Sequence, residues 1–186
     1  STAPDPLHTD AVSARYRAIC EKVETLHCVV DPDGAAIVWP YLAHGDRMLR
    51  HAARVALEFQ PVETWSARAL SEADPVTATQ ALLALVHVSA ADPFHRPQGA
   101  PATQPELLAE VLKALDRIDW GELSLSQKLA VARVYQVAFN RLGPPDVPTQ
   151  VRLIAKFDKL LPAGHPFLNA EVGQLLVYLQ GPTAAP

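Results

Sequence analysis

Residues 36–57 read AIVWPYLAHGDRMLRHAARVAL, and this stretch decides the fold. Two short amphipathic segments are joined by His44-Gly45-Asp46, and the second carries Asp46, Arg50, Ala53 and Ala56 at helical spacing. An aspartate at that point caps the second helix, because its carboxylate accepts from the free N–H groups of the first turn. Alanines on the inner face let a neighbouring helix approach closely, so each pair hides its apolar face against the next. Pro40, inside the first segment, should end or kink it.

The same grammar extends in both directions. Upstream, residues 1–8 with their prolines read as a linker. A first helix follows Thr9 or Asp10, with Val12, Tyr16, Ile19, Val23 and Leu26 on one side, and ends before Asp31-Pro32-Asp33-Gly34. Downstream, a second pair runs over 62–73 and 75–89, with Asp74-Pro75 as cap and first helical residue. Its second helix carries the stripe Ala78, Leu82, Leu85 and Val86. Residues 91–102, with three prolines, read as an exposed loop inserted in the pattern. Thr103 with Glu106, and Ser124 with Gln127, have the spacing of capping boxes. Asp146 opens a further helix, Gly143-Pro144 and Pro162 close helices, and the last helix stops at Gly181-Pro182. Nothing alternates with a period of two.

The expectation is an all-α chain of about nine helices. Four antiparallel pairs fall at 34–59, 61–90, 103–143 and 146–180, with the first helix covering the open end. Their spacing of roughly 30–40 residues is that of HEAT-like α-solenoids. One domain over 9–182 and a tail at 183–186 complete the division.

Composition narrows the function. At 186 residues, 49% of them apolar, the chain can bury a core. Its formal charge of -4 gives no general attraction to polyanions. No apolar run approaches the ~20 residues of a membrane span, and no basic segment followed by an apolar one opens the chain as a signal peptide would. It begins Ser-Thr-Ala-Pro, which suggests excision from something longer.

Few residues suggest chemistry. Cys20 and Cys28 both fall on the expected first helix, about 12 Å apart along its axis, too far to bridge. His27-Cys28 could ligate metal, but neighbours on a helix point about 100° apart and chelate one ion poorly. Trp39, Trp65 and Trp120 read as wedges between repeats rather than stacking platforms. No H-E-x-x-H, G-x-S-x-G or phosphate-binding glycine loop occurs, so neither a catalytic set nor a cofactor or metal site is expected. Arg47, Arg50, His51 and Arg54 form one basic stripe. It is a candidate interaction surface, or else a solvated face with Arg50 bonded to an aspartate or a carbonyl of the neighbouring repeat. The composition thus favours a non-catalytic scaffold; the alternative is a nucleic-acid-binding HEAT-type protein using Arg47, Arg50 and Arg54.

The order WPYL…DRMLRHAARVALEFQPVETW…AL…DP, then LDRIDW, then LNAEVGQLLVYLQGP, resembles the helical segment of large bacterial haem-binding proteins. These are the membrane-bound-dehydrogenase-like multidomain proteins of planctomycetes and their relatives. The resemblance spans about 10–182. It implies a β-propeller before such a segment, a c-type cytochrome domain after it, a periplasmic setting, and other domains of the parent protein as partners. The chain departs from the family's cytochrome part. Cys20 and His27-Cys28 have neither the spacing nor the order of C-x-x-C-H, so no haem attachment carries over.

Overall fold

The computed structural model describes residues 11–95, 97–99 and 103–181. Among them are nine α-helices and no strand: α1 (Ala11–Glu24), α2 (Gly34–Val38), α3 (Arg47–Glu58), α4 (Ser66–Ser71), α5 (Pro75–Ser89), α6 (Pro105–Asp116), α7 (Leu125–Leu142), α8 (Val147–Asp158) and α9 (Pro166–Tyr178). The expected linker 1–8 and tail 183–186 lie outside the described residues. Of the expected loop, the described residues contain no helix.

Most boundaries follow from local chemistry. Asp46 accepts from the Met48 and Leu49 amides at 2.7 and 3.0 Å. Asp74 and Asp146 cap α5 and α8 through the Thr77 and Thr149 amides, at 2.8 and 2.9 Å. Ser124 and Gln127 form a reciprocal capping box on α7. The α-helical conformation of α2 stops at Val38, and Pro40 falls in a 3-10 turn over Trp39–Tyr41. α7 ends at Gly143, whose φ of +100° few L side chains adopt. A Cβ there would also lie 2.6 Å from the Thr103 methyl.

Three expectations are corrected. The helix expected over 62–73 is a 3-10 turn over Val62–Thr64 followed by the short α4, with Trp65 between them. α1 ends at Glu24, so Cys28 is not on it; Cys28 lies in the following turn with φ +62°. Both thiols are free, Cys20 half-buried and Cys28 exposed. Thr103 and Glu106 form no capping box, because α6 begins a residue later than that requires, with Gln104 as its N-cap and Pro105 first. The Gln104 side chain points elsewhere, donating to the Ser89 carbonyl at 2.7 Å.

The helices contact one another in a regular series. α1, α3, α5, α7 and α9 touch successively, while α2, α4, α6 and α8 each touch the helix that follows. One apolar cluster runs through the set, from Val23 through Leu57, Leu85, Leu115 and Tyr135 to Leu176. Ala53 and Ala56 are fully buried in it, where α3 meets its neighbours. Ala53→Leu, with no space to fill, should cost about 1–3 kcal/mol. Arg50→Ala should cost less, since its guanidinium only tethers the preceding turn, through the carbonyls of His44 at 2.5 Å and Gly45 at 2.9 Å. Denaturant midpoints of the two variants check this ordering.

The Asp46 cap makes part of the stability pH-dependent. The Leu49 amide first, then the Tyr16 hydroxyl, hold the Asp46 carboxyl below its usual range. A carboxylate lowered by folding stabilises above its unfolded pKa, and that contribution fades as pH falls through the lower folded value. The Tyr16 hydroxyl, bonded to Asp46, is pushed up to about 12. Asp46→Asn keeps a capping side chain without the charge. Its deficit in denaturant midpoint should be present near neutral pH and shrink steadily in acid; a deficit independent of pH would contradict the assignment.

Candidate functional site

The basic stripe on α3 divides into two kinds of residue. Arg47 and His51 are exposed, whereas Arg50 and Arg54 are half-buried. Arg50 is occupied by the two carbonyls before the helix. Arg54 is ion-paired with Glu58 one turn on and lies 3.1 Å from His51 Nδ1. Glu58 in turn meets His87 of α5 at 2.9 Å. Arg50 and Arg54 therefore each have acceptors on their own helix or the turn before it; the carbonyls Arg50 meets belong to that preceding turn and not to a neighbouring helix pair.

The tryptophans pack into or against the apolar core. Trp39 is buried, donates through Nε1 to Glu72 at 2.9 Å, and carries the Arg68 guanidinium over its ring at 4.2 Å. Burial opposes ionisation of Glu72, but this indole bond and two backbone amides outweigh it and lower its pKa. Trp65 is buried and bonded to the Gln60 carbonyl, and Trp120 is half-buried against the core. His27 bonds the Ala52 carbonyl at 3.0 Å. Among the described residues no three His, Cys, Asp or Glu side chains gather as metal ligands would. No helix among them is long and apolar enough to cross a membrane.

A polar cluster lies where α6, α7 and α8 converge. Asp116 meets Lys156 at 3.0 Å and also Arg152, and Lys156 donates to the buried Tyr135 hydroxyl at 3.0 Å. Burial pushes the Tyr135 pKa up. Burial opposes the Lys156 charge, yet Tyr135 and Asp116 together leave its pKa above the ordinary lysine value. Each member already has its partner, so the cluster reads as a brace between helices.

A larger hollow lies elsewhere. α5, α7 and α9 leave between them an open groove of about 490 Å³. Its floor is Val137 of α7, Leu175 of α9 and the stacked rings of Phe139 and Tyr178, 5.2 Å apart and parallel. Burial raises the Tyr178 pKa, and its hydroxyl donates to the Phe139 carbonyl. Arg133, Asn140, Arg141 and Gln174 supply polar walls.

The charges of this groove are unequal. Asp92 at its edge is already bonded to His95 at 2.8 Å, and that bond first of all lowers its pKa. Arg141 is anchored through Nη1 to the carbonyls of His87 and Ala90, at 2.9 and 2.6 Å, and makes no salt bridge among the described residues. Arg133 is exposed and makes no hydrogen bond or ion pair among the described residues. Gln136 bridges to Glu171 at 2.5 Å, fixing α7 against α9. The result is a part-apolar groove with two arginines in its lining, on a chain of negative net charge. A second, smaller hollow of about 230 Å³ lies between the starts of α3, α5 and α7, lined by His44, Arg50, Gln80 and Gln127 among others.

The sequence reading missed this groove. Arg133, Val137 and Arg141 recur at i, i+4 and i+8, but only the seating of α7 between α5 and α9 turns that spacing into a site. Compared with protein-family models, curated proteins and solved structures, the chain matches none of them.

Proposed function

We propose that the chain is a non-catalytic interaction module, a HEAT-like α-solenoid of antiparallel helix pairs that docks or spaces the domains of a larger protein. The observation that carries this reading is the face formed by α3, α5, α7 and α9. Side-chain ties join these helices in series, through Glu58 to His87, Arg141 to the end of α5, and Gln136 to Glu171. Such ties fix the groove walls against one another, and a preorganised surface loses less entropy on binding. The successive helix contacts fit a solenoid, whose elongated faces generally take extended partners. The resemblance to the helical segment of periplasmic cytochrome-containing proteins suggests the parent, with its other domains as partners and no cofactor on this segment.

A displayed library of random extended peptides, panned against the purified chain, tests the reading. Enriched peptides should bind saturably and lose binding to Val137→Asp, which places a charge on the groove floor. Peptides that bind this variant equally well, or saturable micromolar binding of haem or a transition metal, would overturn it.

A further inference from the structure

The groove has a spacing as well as a charge. Arg133, Val137 and Arg141 follow at four-residue steps along α7, so their Cα atoms rise by about 6 and 12 Å from the first. Each step turns only about 40°, which keeps all three within one sector of the helix. An extended chain places every second side chain on one side, with a rise of about 3.3 Å per residue. Its positions i, i+2 and i+4 therefore lie at about 0, 6.6 and 13 Å, a match to α7 within about 1 Å.

The chemistry at the three positions is also ordered. Arg133 is exposed and without a partner among the described residues. Val137 is half-buried and adjoins the buried Leu175 in the groove floor. Arg141 spends only Nη1 on the end of α5. A guanidinium has five N–H donors, so this one is held in place with donors to spare. We propose that the groove takes an extended acidic peptide segment with carboxylates two residues before and two after a central apolar side chain. The carboxylates face Arg133 and Arg141, and the apolar residue lies over Val137 and Leu175. Asn140, exposed in the same lining, adds an amide for the peptide backbone.

A nucleic-acid strand fits less well. Its charges recur at every phosphate, and one would fall over Val137 and Leu175, where no cation meets it. The carboxylates of Asp92 and Glu171 stand close by, and both are already partnered within the protein.

This proposal rests on the interaction-module reading. Its test uses the full chain and labelled acetyl-GETVTEG-amide in fluorescence polarisation. Comparison peptides are the same residues reordered as GEVTETG, a lysine version GKTVTKG, and an oligothymidylate. The first peptide should bind saturably, weaken with salt, and bind about tenfold less tightly to Arg133→Glu. Lys113→Glu, an equal change of charge at an exposed site on α6, should leave binding intact. Equal affinity for the reordered or lysine peptide overturns the proposal, as do indifference to Arg133→Glu, no saturable binding at millimolar peptide, and preference for the oligothymidylate. If library peptides bind at Val137 while this spacing does not, the interaction-module reading survives and the acidic spacing fails alone.

Discussion

Trp65→Ala is expected to lower stability by about 3–5 kcal/mol, the usual cost of emptying an aromatic site that cannot collapse. Trp65 is 1% exposed and among the largest side chains fully enclosed in the core. It stands where the turn over Val62–Thr64 passes into α4, and both elements touch α5. Its loss opens a cavity where these segments meet. It also removes the donor to the buried Gln60 carbonyl, bonded at 3.2 Å. Trp65→Phe separates the two effects, since it keeps much of the volume and deletes the indole N–H. It should cost about 1–2 kcal/mol, near the value of one buried hydrogen bond with a modest packing loss. Urea midpoints of the three proteins measure both. Equal losses for Phe and Ala would show that the hydrogen bond, not the volume, matters at this position.

Gly34→Ala is expected to cost about 2–4 kcal/mol, although the new group is a single methyl. Built onto Gly34, its Cβ would lie 2.4 Å from Gln60 Oε1 and 2.6 Å from Cδ. A flexible side chain would ordinarily move aside, but Gln60 is buried and bonded at both ends of its amide. Oε1 accepts from the Asp31 amide at 3.0 Å, and Nε2 donates to the Val29 and Ala56 carbonyls at 3.0 and 3.1 Å. Moving the glutamine takes the partner from the Asp31 amide and the Val29 carbonyl in these part-buried bonds, although the Ala56 carbonyl keeps the Phe59 amide. Gln60→Ala should therefore be costly too, for the same lost bonds. The double variant should cost clearly less than the sum of the two, because the first change already abolishes what the second removes. Strict additivity would show that the clash lies elsewhere.

These two sites show what the sequence discloses and what it hides. Caps at Asp46, Asp74, Ser124 and Asp146 were readable because each uses an acceptor and an amide two or three residues apart. Helical stripes such as Leu168, Val172, Leu175 and Leu176 were readable for the same reason, and all four are buried. The end of α1 was not. The segment after it is gripped by Gln60, about thirty residues away, which no local pattern announces. Thr103 with Glu106 matched a capping box, yet Pro105 supplied a competing start and Gln104 reached back to Ser89. The groove failed to show in the sequence for a similar reason. Arg133 and Arg141 are ordinary exposed or half-buried arginines until α5 and α9 flank them. The α3 arginines stood out by density, but Arg50 and Arg54 turn inward to local acceptors.

The Gln104 contact has a practical reach. It joins the end of α5 to the start of α6 directly, and the Gln104 backbone N–H donates to the Leu142 carbonyl at 2.7 Å. The two helix ends are thus buttoned together directly. Lengthening a loop already closed in this way is cheap, about 0.6 kcal/mol for each doubling. The stretch around Gly99 is accordingly a natural port for grafting, where a reporter, an affinity tag or a whole second domain can be spliced in while the helices on either side keep their seats.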